Sequence, residues 1–193
     1  SSVTGNGPVS LNAAAGLLTQ TATGDISSGG VVTLTGSGGI STAGDVSTTN
    51  DDITYSSAVT LTGNVALDTG AAGGNVLFSS TLTGTVAGGQ TLGLTAGAGD
   101  IIVTGTAGAT RLGAVTINSA ANTTFTSTLN ADSLVQTAGT GTTTLRDTVT
   151  TTAAAGMNLS SALINLDGLV ISPLGTGIAR LNGPVALSTG PVS

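Results

Sequence analysis

The sequence predicts an all-β fold, and within that class a thin parallel solenoid of short coils. Three observations carry the prediction: apolar residues come in pairs two apart, aromatic residues are nearly absent, and short phrases recur along the chain. The stretch Val59 to Phe78, VTLTGNVALDTGAAGGNVLF, shows the pattern that the rest repeats with variations. Val59 with Leu61, Val65 with Leu67, and Val76 with Phe78 each place two apolar side chains on one face of a brief strand. Gly63-Asn64 and Gly70, Gly73 and Gly74 supply the corners between them.

Composition sets the thickness of the core. Of 193 residues 39% are hydrophobic but only 2% aromatic, with 31 Gly, one Tyr, two Phe and no Trp. Aromatic rings normally fill volume in a globular interior. A core of Val, Leu, Ile and Ala suits a narrow stacked coil, and the chain is long enough to make that core continuous.

Charge narrows the partners. There are nine acidic residues, all Asp, against three Arg, with no Lys, Glu or His, giving a net charge of −6. No basic cluster is present to meet phosphates, so nucleic acid and anionic membrane surfaces are not expected partners. Mean hydropathy is +0.44, yet the longest apolar-rich stretch, Leu159 to Leu174, is broken by Asn165, Asp167, Gly168 and Pro173, and membrane insertion as a helix is not expected. The absence of Cys leaves the redox compartment unread. The opening SSVTGNGPVS has neither the basic start nor the apolar run of a signal peptide, and no initiating Met, which reads as a processed product or a window of something longer.

Along the chain, Val9 with Leu11 and Leu17 with Leu18 are the first apolar pairs. The phrase Gly-Asp-Ile/Val then recurs at Gly24-Asp25-Ile26, Gly44-Asp45-Val46 and Gly99-Asp100-Ile101. Its Gly permits positive φ and its Asp can accept from a nearby backbone N–H, so it reads as a corner that launches a strand. VTLTG occurs at Val32–Gly36 and again at Val59–Gly63. LTGNVALDTG from Leu61 is echoed as LNGPVALSTG from Leu181. Gly139-Thr140-Gly141 with Leu145 and Val149 recurs as Gly175-Thr176-Gly177 with Leu181 and Val185, and Asp132-Ser-Leu-Val135 as Asp167-Gly-Leu-Val170. Gly7–Ser10 and Gly190–Ser193 both read GPVS, a hint of tandem units or of stacking on copies. The Ala-rich stretches Ala13–Leu18 and Thr151–Met157 are too short and too Gly- and Thr-rich for helices. Strands every 6 to 12 residues also fit a sandwich or barrel, but thin apolar content and degenerate repetition favour the solenoid.

Three stretches resemble the repeat body of filamentous-haemagglutinin-like bacterial surface proteins: Val59–Phe78, LGLTAGAGDIIVTG at Leu92–Gly105, and LGAVTINSAANTTFTSTLNADSLVQTAGTGTTTL at Leu112–Leu145. The resemblance implies a right-handed parallel β-helix, export by a two-partner or autotransporter route, and a role as adhesin, surface fibre or matrix component. Asn-Pro-Asn motifs of the usual secretion domain do not occur, which places the chain in the repeat shaft. At roughly 20 residues per coil and about 4.8 Å per coil, the chain makes about nine or ten coils in a single domain spanning 1–193, a rod of roughly 45 Å. Neither Ser1–Ser10 nor Gly183–Ser193 reads as an end cap.

Candidate sites are few. Asn50-Asp51-Asp52 is the densest acidic group; paired carboxylates perform acid–base work in polysaccharide-cleaving enzymes, but adjacent strand residues face opposite ways, so a solvated turn is expected. Asp25, Asp45 and Asp100 would form a calcium column only if their coils stacked, and lie at the wrong spacing for the nonapeptide repeat. Arg111, Arg146 and Arg180, 35 and 34 residues apart, suggest a one-sided row facing Asp132, Asp147 or Asp167. Thr triplets start at Thr81, Thr124, Thr140 and Thr148, too irregularly for one ice-binding ladder, and express β-propensity. Asn122-Thr123-Thr124 and Asn158-Leu159-Ser160 match the N-glycosylation pattern. No catalytic, cofactor-binding or metal site is assigned. The expected function is a non-catalytic structural or adhesive module of an extracellular bacterial fibre, self-associating end to end. The alternative is a module whose Thr/Asn-rich face recognises host or matrix carbohydrate or, less favoured, ice; a degraded polysaccharide-active enzyme is remote.

Overall fold

The computed structural model describes residues 2–167, 171–174 and 176–188, and over these the chain is strand and corner with no helix. It is a parallel β-solenoid wound in the right-handed sense that parallel crossovers take. Each coil contributes one strand to each of three faces. Face 1 holds Val3–Gly5, Ile26–Ser28, Val46–Thr48, Val65–Asp68, Leu92–Thr95, Met157–Ser160 and Ala179–Asn182. Face 2 holds Val9–Ala13, Val32–Gly36, Ile53–Tyr55, Val76–Phe78, Ile101–Val103, Thr123–Phe125, Thr142–Leu145, Leu163–Asp167 and Val185–Ser188. Face 3 holds Leu18–Gln20, Ile40–Thr42, Val59–Leu61, Leu82–Gly84, Val149–Thr151 and Ile171–Pro173. Two long strands, Ala107–Ser119 and Leu129–Gln136, run from face 3 round the corner onto face 1, so those faces join in one 15-stranded sheet while face 2 is a nine-stranded sheet.

Val59–Phe78 thus supplies one strand to each of the three faces, which is why its pattern governs the rest. Along face 2 the inward residues stack as two rows. One runs Val9, Val32, Ile53, Val76, Ile101, Thr123, Thr143, Ile164, Val185, and the other Leu11, Leu34, Tyr55, Phe78, Val103, Phe125, Leu145, Leu166, Leu187. From Ile26 to Ile164 these inward apolar side chains form one continuous buried cluster. Each fully buried Val or Leu contributes about 1.5–3 kcal/mol, so the rows stabilise the rod coil by coil. The three aromatic residues share one row, and the Tyr55 and Phe78 rings stack with centroids 5.0 Å apart.

The described residues make eight complete coils and two strands of a ninth, about 40 Å of rod at the strand spacing. This is close to the expected nine or ten. Coils are unequal because corners take up different lengths: Ile40 lies under Val59 but Val65 under Leu92. Where the long strand Ala107–Ser119 turns the corner, Gly108 has φ +84°, and a Cβ there would meet the Asn130 carbonyl oxygen.

The sequence repeats are not in phase with the coils. VTLTG at Val32 lies on face 2 and at Val59 on face 3. Val65 and Leu67 lie on face 1, but their echoes Val185 and Leu187 lie on face 2. Leu145 sits on face 2 and its counterpart Leu181 on face 1. The recurring unit is therefore a strand–corner–strand phrase usable at any corner. The residues 168–170, Gly175 and the second GPVS, 190–193, lie outside the described residues.

Tyr55 is the chain's only tyrosine, fully buried, with no aligned hydrogen bond to its hydroxyl. Burial pushes its pKa well above the ordinary 10, the nearby Thr42 hydroxyl partly offsets this, and the Asp45 carboxylate adds to it. The neutral ring is therefore the form the fold favours: its contribution is intact below about pH 10 and is lost as pH rises beyond that value. Titration of the phenolate absorbance reads this one residue directly. Ionisation should coincide with cooperative unfolding well above pH 10, and Tyr55→Phe should reduce the alkaline loss while leaving neutral stability equal or higher by about 1 kcal/mol. Reversible ionisation near pH 10 in a folded chain would contradict the burial.

Candidate functional site

The polar residues marked by the sequence are drawn mainly into the corners. Asn50 adopts φ +64° and accepts from the Ala72 N–H at 2.9 Å, Thr48 donates its hydroxyl to the Asp51 carbonyl, and Asp52 accepts from the Asn75 N–H at 2.7 Å. The Asp52 carboxylate is thus engaged by the backbone of the next coil. Asn50 and Asp52 fasten the next coil, a more specific job than the solvated turn expected for the triplet.

Asp52 begins a ladder along the corner between faces 1 and 2. Asn75 accepts from Asp100 N at 2.8 Å, Asp100 from Asn122 N at 2.9 Å, and Asn122 from Thr142 N at 2.8 Å. Asn122 also donates its amide Nδ2 to Asp100 at 2.9 Å. Each rung stands directly before a β-branched residue, Ile53, Val76, Ile101 or Thr123, and its oxygen takes up an N–H at the edge of the sheet. A shorter series marks the corner between faces 3 and 1: Asp25 accepts from Asp45 N, Asp45 from Ala66 N, and Asn64 from Thr91 N. Sequence reading finds the Gly-Asp phrases but not the ladder. Treating Asp and Asn alike before a β-branched residue would have exposed it.

Asp25 and Asp45 stack, but Asp100 belongs to the other corner, so the three make no calcium column, and among the described residues no acidic group is arranged to hold a metal ion. The three arginines do not form the expected row. Arg111 lies on the long strand round the corner, Arg146 just past a face 2 strand, and Arg180 on face 1 above Asn158. Spacings of 35 and 34 residues are not a whole number of coils, so the three side chains fall at different places around the rod. Arg111 Nε lies 2.7 Å from Asp132 Oδ1, off the hydrogen-bond direction, with both side chains about a third exposed. Such a pair contributes on the order of 1 kcal/mol or less. Thr152 donates to the same Asp132 oxygen at 2.8 Å.

The Thr triplets divide between faces, as their irregular spacing implies. Thr124 and Thr144 stack on face 2, whereas Thr83 lies over Thr60 and Ser41 on face 3. Face 2 carries an outward row of Ser10, Thr33, Thr54, Leu77, Ile102, Thr124, Thr144 and Asn165. Hydroxyls just past the strands are already used: Thr104 donates to the Phe78 carbonyl at 2.8 Å, and Thr126 to those of Val103 and Thr104. Both N-glycosylation-type asparagines are engaged between coils, Asn122 in the ladder and Asn158 with Asn182 at 2.7 Å.

Two buried polar clusters interrupt the core. Thr42 donates to Gln20 Oε1 at 2.8 Å while Gln20 Nε2 reaches the Gly24 carbonyl at 3.0 Å, and Thr143 donates to Gln136 Oε1 at 2.7 Å. Sequence reasoning misses these because a polar residue in a strand reads as outward. Hollows mark the surface among the described residues. A groove of about 550 Å³ follows the corner between faces 1 and 2, lined by Asp68, Ala71, Thr95, Ser119 and Thr140. One of about 310 Å³ lies over Asp25, Ser27, Asp45, Ser47 and Asp68 on face 1, and one of about 290 Å³ opens at the first coil over Val3, Leu11, Leu18, Ile26 and Leu34.

The ladder makes a distinction that a solvated turn would not. Asp100→Ala removes the acceptor for two donors and should cost about 1 kcal/mol, whereas Asp100→Asn, which retains Oδ1, should lose less than half of that. Denaturant midpoints of the two variants check it; equal losses would remove the hydrogen-bonding role. No protein-family model matches this chain, and comparison with curated proteins and with solved structures likewise gives no match.

Proposed function

We propose that this chain is a non-catalytic structural and adhesive module of an extracellular bacterial fibre or cell-surface protein, stacking end to end with copies of itself through its open solenoid edges. The observation that carries the reading is where apolar surface remains exposed. Among the described residues, the large exposed hydrophobics gather at the two ends. Val3, Leu17 and Val31 lie at the first coils, and Leu163, Leu174, Ile178, Val185 and Leu187 at the last, with Val86 the exception between them. Apolar side chains exposed in the first and last described coils favour a further coil stacked on them, which this reading assigns to a second copy. The filamentous-haemagglutinin-like resemblance points to the same use, with export to the cell surface. This reading gives Asp25, Asp45, Asp52 and Asp100 a structural role, as acceptors of backbone N–H groups between coils.

A second reading has its own observation. The outward row of Ser10, Thr33, Thr54, Thr124 and Thr144 repeats hydroxyls at the coil spacing, interrupted by Leu77 and Ile102, and fits a face for host or matrix carbohydrate better than for ice, which needs an unbroken lattice. Retention on a glycan array that disappears in a Thr33→Val/Thr54→Val variant would favour it.

Electron microscopy of the purified chain tests the first reading. Filaments with strand spacing near 4.8 Å and a longer repeat equal to the length of one module are expected. Separate short rods at every concentration would refute it.

A further inference from the structure

The two ends match each other in sequence, in face and in charge. Face 2 begins in the first coil with Gly7-Pro8-Val9-Ser10-Leu11 and in the last with Gly183-Pro184-Val185-Ala186-Leu187, and no coil between them starts face 2 with proline. Both inward rows of that face therefore end as they begin, one on Val9 and Val185, the other on Leu11 and Leu187. Leu11 is half-buried beside the hollow of the first coil, and Leu187 is 74% exposed.

The prolines fit this join. At the start of a face 2 strand the backbone N–H points to the coil beneath: Asn75, Asp100, Asn122 and Thr142 donate to the ladder, and Leu163 donates to the Gly141 carbonyl. Pro8 has no N–H to donate and Pro184 has no side-chain oxygen to receive one, so Pro8 over Pro184 leaves nothing unpaired. The following residue points the other way. Ile164 N donates to the Pro184 carbonyl at 2.8 Å and Val9 N to that of Val31 at 2.8 Å, so Val185 N is directed at the carbonyl that Pro8 of a second copy would supply. Charge does not oppose the contact. All nine Asp lie between Asp25 and Asp167, and the only charged side chain outside that span is Arg180.

Resting on the end-to-end reading above, we propose that a second copy of this chain docks head to tail in one register. Pro8–Asn12 of one copy continues face 2 over Pro184–Ser188 of the other, with Val9 above Val185 and Leu11 above Leu187. The contact is heterologous and leaves an identical pair of ends, so it propagates as a fibre without closing.

The cysteine-free chain allows a direct test. In this register the outward residues Ser10 and Ala186 of neighbouring copies lie one strand spacing apart, within disulfide reach, whereas Ser10 and Ser188 lie about 8 Å apart, beyond it. The double variant Ser10→Cys/Ala186→Cys should give a ladder of disulfide-linked multimers at least about tenfold faster than Ser10→Cys/Ser188→Cys. Leu11→Asp, on the exposed first coil, should leave the chain folded and monomeric in sedimentation. Comparable linking of the offset pair, or multimers that neither pair links, overturns the register while end-to-end stacking stands. A wild-type chain that sediments as a monomer at every concentration overturns both.

Discussion

Every coil of this molecule depends on one constraint: each backbone N–H and C=O along a strand must find its partner in the coil above or below. Faces satisfy it by parallel pairing in register, as in Val76, Leu77 and Phe78 over Ile53, Thr54 and Tyr55. Corners cannot do so alone, because the chain there leaves the strand direction. The side-chain oxygens of Asp52, Asn75, Asp100 and Asn122 extend the pairing into the corner. This explains how an acidic chain with few basic residues keeps its aspartates: several of them serve as acceptors of backbone hydrogen bonds, a role that Asn75 and Asn122 fill at neighbouring rungs.

The same constraint shapes the core. Two inward residues per strand leave room for Val, Leu and Ile but rarely for rings, and the three aromatics share one face 2 row. Two pairs of polar inward residues hold each other, Gln20 with Thr42 and Gln136 with Thr143. The apolar rows run along most of the axis, broken on face 2 by Thr123 and Thr143. Apolar side chains remain uncovered in the first and last coils, and this is the structural root of the proposed assembly.

The sequence made the class legible for a physical reason. Pairs such as Val59/Leu61 and Val76/Phe78 can be buried together only on a short strand, and the scarcity of rings rules out a thick interior. The phase of the coils was not legible, since a strand–corner–strand phrase looks the same whichever corner it turns. VTLTG serves face 2 once and face 3 once, and arginines spaced by 35 residues land on different faces. The corner ladder was half legible, through Gly99-Asp100-Ile101 but not through Asn75 or Asn122, because alignment of corners depends on coil lengths that vary between Ile40–Val59 and Val65–Leu92.

Amide hydrogen exchange measured residue by residue tests the central claim most directly. If coil-to-coil pairing extends through the corners, the N–H groups of Asn75, Asp100, Asn122 and Thr142 will exchange slowly despite their exposed position, with protection close to that of the strand amides of Val76 and Ile101. Fast exchange at those four corner amides beside protected strands would contradict the account.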